Sequence, residues 1–302
     1  MRIKNIIAIS FLCFGVVYSS FAQDSLLDIL EKESSKKPQY TIATFQATRI
    51  QLGHSVQTRK KNTLEISAMT RYWNSPTHGD DVFIAEKMSA RFALEYGFTD
   101  RFTFGAGYST VNSITDIFGK YRLLRQQDNG KNKFSITLLQ TLTHNGAKGG
   151  SVYTGSYRNN GSFIGGDSDR LAFTTQVLIA RKFTRNFSFQ IAPTFIKRNS
   201  VFWPNDELNH FAVGFGGRYK VGRHVAIASE YYYVANPIES VKTYGPFSLG
   251  VNWELSDLML QFKMANTPHF VEDAFITSAR RSFSIEDGSF YFGFHATYFI
   301  QF

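Results

Sequence analysis

The sequence predicts an all-β protein, a transmembrane antiparallel up-and-down β-barrel of about twelve strands. Three observations carry that prediction. Segments of about ten residues alternate apolar and polar side chains, the period of a strand with one face in lipid and one face inward. The connections between these segments are alternately short and long, as in outer-membrane barrels with tight periplasmic turns and larger outer loops. The last segment, Phe290–Phe302, sets Phe290, Phe292, Phe294, Ala296, Tyr298, Ile300 and Phe302 on one face, opposite Tyr291, Gly293, His295, Thr297 and Gln301.

Composition points the same way. The chain has 302 residues, is 43% hydrophobic and contains 30 Phe and 15 Tyr. Beyond its first residues it has no apolar run near the roughly 18 residues that a spanning helix needs. The apolar side chains are abundant but dispersed. Backbone amides in hydrocarbon have no water partner, so a membrane chain without spanning helices must close a sheet on itself, which also removes unpaired edges. Tyr72, Trp73, Tyr108, Tyr121, Tyr219, Tyr231 to Tyr233, Trp253 and Tyr298 suit aromatic girdles near strand ends. A secreted β-sandwich also alternates, but would rarely expose a face such as Phe290, Phe292 and Phe294.

Residues 1–22 read as a cleaved secretory signal. Arg2 and Lys4 precede the short apolar stretch Ile6–Val17, and Ser20-Phe21-Ala22 places small residues at the cleavage positions before Gln23. Cys13, the only cysteine, lies inside this signal, and Leu12 before it argues against a lipoprotein site. The remaining chain therefore has no disulfide, thiolate metal site or cysteine nucleophile. A signal followed by a barrel predicts the outer membrane of a Gram-negative cell.

Residues 23–62 are expected outside the wall, as a periplasmic N-terminal extension or a luminal plug. Asp24–Glu33 reads as a short helix with Leu26, Leu27 and Leu30 on one face, and Ser34–Pro38 as a polar linker. Tyr40–Ile50 alternates too, but would make the strand number odd and is set outside the wall.

The barrel is assigned to residues 63–302. Its clearest strand is Lys87–Gly97, with Met88, Ala90, Phe92, Leu94 and Tyr96 facing away from Lys87, Ser89, Arg91, Ala93 and Glu95. The others are Leu64–Trp73, Phe102–Ser109, Asp116–Arg125, Phe134–Thr143, Arg170–Phe183, Phe187–Arg198, His210–Val221, His224–Val234, Phe247–Leu255, Leu258–Ala265 and Phe290–Phe302. The short turns fall at Phe98–Asp100, Gln126–Lys133, Thr184–Asn186, Gly222–Arg223 and Ser256–Asp257. The opposite end carries Asn74–Ile84, the brief link Asn112–Thr115, His144–Asp169, Asn199–Asn209, Ala235–Pro246 and Asn266–Ser289. With the C-terminus in the periplasm, both barrel ends are periplasmic and the strand number is even.

Two resemblances add to this. The ending with Phe290, Phe292, Phe294, Tyr298 and Phe302 resembles the C-terminal assembly signal of outer-membrane barrels, which implies engagement by the barrel-assembly machinery. Ala47-Thr48-Arg49-Ile50, Gly53-His54-Ser55-Val56, the stretch Leu94–Asp100 and Lys120-Tyr121-Arg122-Leu123-Leu124 resemble a family of membrane-bound β-barrels to which no function is attached. That resemblance implies the fold and no activity.

Placing the less apolar face inward puts Arg71, Lys87, Arg91, Lys120, Arg122 and Arg218 in the lumen or at its rims, with Arg170, Lys182, Arg198, Lys220 and Lys263. The acids there are Glu65, Glu95, Asp116, Glu230 and Glu254. A low-dielectric wall focuses such a field, and basic rings favour anions in pores. The expectation is a narrow passive channel with a mild preference for small anionic solutes. The alternative is a closed structural or binding barrel acting with a partner protein, since a lumen this small can be filled by its own charge pairs. Arg49 and His54 precede the wall. In the lumen they could gate it or pair with Glu95 or Glu230; in the periplasm they could bind a partner.

The net charge of +9 on an exported chain suggests acidic headgroups or anionic solutes rather than nucleic acid, so outer-membrane lipids are expected partners. His54, His78, His144, His210, His224, His269 and His295 show no metal-binding spacing. No nucleophile elbow is present; a pairing of His295 with Ser248 or Ser289 is the basis of a third reading, a lipid-modifying enzyme. Gly165–Asp169 and Glu286–Gly288 lack EF-hand spacing, and the Gly-, Ser- and Tyr-rich stretch Gly146–Gly166 lacks a phosphate-loop ending. No cofactor is expected.

Overall fold

Alternation along the chain resolves into twelve antiparallel strands: β1 (Thr63–Trp73), β2 (Lys87–Gly97), β3 (Phe102–Ser109), β4 (Ile114–Leu124), β5 (Ser135–Asn145), β6 (Leu171–Lys182), β7 (Phe187–Arg198), β8 (Asn209–Lys220), β9 (Val225–Val234), β10 (Phe247–Leu255), β11 (Leu258–Ala265) and β12 (Tyr291–Gln301). Each strand pairs with its neighbours in sequence, and β1 pairs with β12 to close the barrel. At that seam Thr63 lies opposite Gln301, Met69 opposite His295 and Tyr72 opposite Phe292. The computed structural model describes residues 39–42, 44–73, 85, 87–147, 166–201, 203, 206–284 and 290–302. The signal, the Asp24–Glu33 helix, the Ser34–Pro38 linker, His78, Ser289, and most of the Gly146–Gly166 and Glu286–Gly288 stretches lie outside the described residues.

Register follows burial. Shifting a strand by one residue would exchange its two faces. On β2, Arg91, Ala93 and Glu95 are buried, whereas Phe92 and Leu94 are 60% and 53% exposed toward the lipid. On β12, Phe292, Phe294 and Tyr298 face outward while Tyr291, His295 and Thr297 are buried. Phe290 precedes this strand and packs edge-on against Phe292; Phe302 follows it, and its amide donates to the Asn62 carbonyl at 2.9 Å. The predicted strand bounds shift most at β4, which starts at Ile114 instead of Asp116, and at β5, which ends at Asn145 instead of Thr143. Ile114 is buried and pairs with Asn145, and the link before it is tightened by Asn112 and Ser113, both with positive φ.

The larger departure lies in the connection after β11. Asn266–Ser289 was expected to be an outer loop, but residues 269–279 turn back into the barrel and are buried without interruption. They form α1 (Glu272–Thr277), every residue of which is buried. The reason is apolar area: Phe270, Val271, Phe275 and Ile276 are each at most 2% exposed, and such side chains leave water when a cavity is available. From the opposite, short-turn mouth, residues 44–58 enter the same interior. The core is therefore inside the barrel. Phe45, Ile50 and Val56 of the N-terminal segment pack with Phe118, Leu139 and Leu178 of the wall. Leu52 packs with Ile196, Tyr232, Phe275 and Ile276.

A charge on the lipid face at mid-strand should be costly where the same change at a rim is not. Phe92→Arg is expected to lower barrel stability by about 2–4 kcal/mol, read from urea titrations in lipid vesicles; an unchanged midpoint would place β2 outside the membrane.

Candidate functional site

The N-terminal insert makes one tight reversal. Ile50 N–H donates to the Gly53 carbonyl at 3.0 Å, and Ser55 N–H to the Thr48 carbonyl at 2.8 Å. This leaves the amides of residues 51–53 pointing one way, a concavity suited to an anion. Glu230 of β9 fills it, accepting from Gln51 N–H at 3.0 Å, Leu52 N–H at 2.7 Å and Gly53 N–H at 3.2 Å. The Tyr232 hydroxyl donates to the same carboxylate at 2.9 Å. A Cβ at position 53 would stand 2.0 Å from the Tyr232 hydroxyl oxygen and 2.9 Å from the carboxylate, so only glycine fits.

Much of the insert's remaining backbone is met by wall side chains, as buried peptide groups require. Gln190 accepts from Val56 N–H and donates to the His54 carbonyl, both at 2.8 Å. Lys120 donates to the Thr48 carbonyl at 3.1 Å, Lys263 to the Gln51 carbonyl at 2.5 Å and Gln261 to the Ile50 carbonyl at 2.9 Å. Thr137 donates to the Val56 carbonyl at 2.7 Å.

At the centre, the two inserts meet. Arg49 donates to a carboxylate oxygen of Glu272 at 3.2 Å, and also to the Leu52 and Phe270 carbonyls. Both side chains are essentially inaccessible to solvent. His54 Nε2 lies 2.9 Å from Arg49 and 3.6 Å from Glu272. Arginine only donates, so this nitrogen accepts and the imidazole is neutral. Burial, then the positive charges of Arg49, Lys120 and Arg91, hold His54 well below its ordinary 6.5. Phe118 covers its ring at 4.5 Å. Burial also raises Glu272 above its ordinary 4.5, against the pull of Arg49.

The predicted luminal residues fall into distinct settings. Arg91 pairs with Asp116 at 2.6 Å. Glu65 and Glu95 face each other across β1 and β2, with the Thr48 hydroxyl 3.0 Å and 3.3 Å from them and Arg59 paired to Glu65. Arg71 lies over the Phe270 ring. Arg218 and Glu254 are bridged by Gln46 at the short-turn mouth. Arg122 sits at that rim, donating to the Asp100 carbonyl, and Lys87 is exposed at the other rim. Neither Glu95 nor Glu230 pairs with Arg49: the partner is Glu272, on a stretch that was expected outside. Sequence reasoning missed Glu272, Gln190 and Gln261. A signal for them existed in Phe270-Val271 and Phe275-Ile276, too apolar for a solvated loop, and in small luminal residues such as Gly216 and Gly250. A Cβ there would come within 2.5 Å of Ile50 and 2.7 Å of Gln51 respectively.

His295 is engaged on both nitrogens, by Gln261 and by Thr297, so Ser248 is not its partner. Among the described residues no group of three His, Cys, Asp or Glu could hold a metal ion.

Glu230→Ala removes the acceptor for three amides while leaving the strand backbone intact. Loss of charged hydrogen bonds should reduce amide-exchange protection of residues 48–56 by about 10- to 100-fold. Strand amides of β4 to β7 should be unaffected; uniform loss across the barrel would mean that Glu230 acts on the wall instead.

Residues 45–300 match a protein family described as a membrane-bound β-barrel domain (DUF5777). No curated protein matches the chain. Among solved structures, it is similar to the KdgM porin, at 9% identity and a TM-score of 0.46, over 78% of this chain and 98% of that one. The same values hold for the KdgM porin in complex with disordered oligogalacturonate. The COG4313 outer membrane channel from Pseudomonas putida F1 is similar at 12% identity and a TM-score of 0.45, over 80% of this chain and 97% of that one. With its closed twelve-stranded wall and a match over most of its length, the chain belongs to this family of membrane-bound β-barrels.

Proposed function

We propose that the protein is a gated passage across the outer membrane, closed in the conformation described and opened by release of its luminal inserts. The observation that carries this is the meeting of Arg49 and Glu272, which joins a segment from one mouth to a loop from the other. Much of the insert's backbone is held by polar groups, and water can replace those contacts when it leaves. In this reading residues 1–22 export the chain, residues 39–62 act as the plug, and the strand ending at Phe302 directs assembly.

An open lumen would favour anions. The buried strand cations are Arg71, Arg91, Lys120, Arg198, Arg218 and Lys263, against Glu65, Glu95, Asp116 and Glu230. Withdrawal of the insert would uncover Lys120 and Lys263, which now bond its carbonyls. The reading assigns passage of small anionic solutes and no catalysis. A second reading, a permanently closed binding barrel working with a partner, draws on the number of backbone groups the wall satisfies.

Glu272→Gln weakens the latch. Breaking a buried pair costs about 3–5 kcal/mol, and Arg49 keeps its carbonyl contacts, so the low end is expected. In planar bilayers the variant should open more often than the parent, with a reversal potential favouring chloride over potassium. A Ser55→Cys reporter, at a fully buried position in a chain whose only cysteine is Cys13, should react with a maleimide faster in the Glu272→Gln background. Silent bilayers together with an unreactive reporter would leave the permanently closed barrel.

Acid should act on the latch through His54. A histidine held below its ordinary value stabilises the closed form fully above 6.5, and that contribution is lost as pH falls below 6.5. Glu272, held above its ordinary 4.5, works in the opposite sense, favouring closure as pH falls toward that value. The His54→Gln variant isolates the first effect: the ratio of parent to variant open probability should rise as pH drops from 7 through about 5.5. A ratio that does not change with pH would remove His54 from the gate.

A further inference from the structure

The short-turn rim carries a site that the gate does not use. A cavity of about 260 Å³ there is lined by Arg101, Arg122 and Arg125, with Tyr40, Asp100, Leu123 and Leu124 around them. Two of the guanidiniums are held in place: Arg122 donates to the Asp100 carbonyl, and Arg125 stacks on the Tyr40 ring at 4.8 Å. Tyr40 is itself fixed by a backbone bridge to Gln127. The one carboxylate in the lining, Asp100, accepts from the Lys61 amide at 3.0 Å. Among the described residues, none of the three arginines has a carboxylate within salt-bridge distance. This sets the cluster apart from the lumen, where Arg49 and Arg91 meet carboxylates and Lys120 and Lys263 meet carbonyls.

The outer lip is apolar. The register shift between Arg122 and Leu124 breaks the alternation of β4, so that Leu123 and Leu124, consecutive in sequence, are both 44% exposed. Tyr121 beside them is 46% exposed, at the level of the rim. A bare anion would engage the arginines only. A molecule with an anionic head and an apolar tail would use both lips, and guanidinium forks match phosphate oxygens.

We infer that this cavity binds the headgroup phosphate of an anionic phospholipid in the leaflet at the short-turn end, with the acyl chain along Leu123 and Leu124. The inference is independent of gating.

Native mass spectrometry of the full chain, released from micelles holding equimolar phosphatidylglycerol and phosphatidylcholine, tests it. Phosphatidylglycerol should be retained over phosphatidylcholine. An Arg101→Ala, Arg125→Ala double variant should lose that preference by about tenfold, the effect of a charged hydrogen bond, and lysine at both positions should recover part of it. Heat-modifiable migration on gels reports whether the variants are folded; should the double variant fail, Arg101→Gln, on an exposed turn, serves alone. Equal retention of the two lipids, or an unchanged preference in a folded variant, would overturn the proposal. So would calorimetric binding of inorganic phosphate that depends on these arginines without retention of phosphatidylglycerol, which would identify a free-anion site.

Discussion

A peptide group that leaves water must find a partner, and nearly everything in this barrel follows from meeting that demand twice. In the wall it is met by strand pairing, which has no loose end only because β1 pairs with β12. In the lumen, residues 44–58 pair with themselves at one tight reversal, bridged between Arg49 and His54. Many of their other amides and carbonyls are met by side chains projecting from the wall, with Glu230, Gln190, Gln261, Lys120 and Lys263 each bonding backbone of the insert. The luminal face is polar because what it holds is backbone.

This explains a division of labour among the charges. Some wall ions are paired with each other, as Arg91 is with Asp116. Those that serve the insert are spent on peptide groups, as Glu230 is on three successive amides. The Arg49–Glu272 pair belongs to neither class, since both partners lie on segments that enter the barrel and not on strands. Buried pairs add little net stability compared with apolar packing but are costly to break halfway. In the gated reading, a junction of that kind favours two states, joined or parted, over a continuum.

The wall was legible in the sequence because a membrane strand writes its two faces into alternate residues. Lys87–Gly97, Phe187–Arg198, Phe247–Leu255 and Leu258–Ala265 have the bounds expected of them, and turn length told the two ends of the barrel apart. The interior was less legible for a physical reason. Inserts are held by tertiary contacts between residues far apart in sequence, such as Arg49 with Glu272, and no local period encodes them. Asn266–Ser289 shows the cost: its position between strands marked it as a loop, while its apolar content, in Phe270, Val271, Phe275 and Ile276, told of burial. Arg49 and His54 were visible as residues out of place before the wall, but their partner was not.

The seam has one more consequence. The Phe302 amide bonds the Asn62 carbonyl, the Gln301 side chain bonds the Lys61 carbonyl, and Arg59 stacks on Phe299. The stalk of the insert is thus fastened to the last residues of the chain, and it can be fastened only once the first and last strands lie side by side. A half-built barrel has no fixed anchor for its insert. The lumen acquires its filling segment, and the point at which that segment is tethered, in the same event that completes the ring.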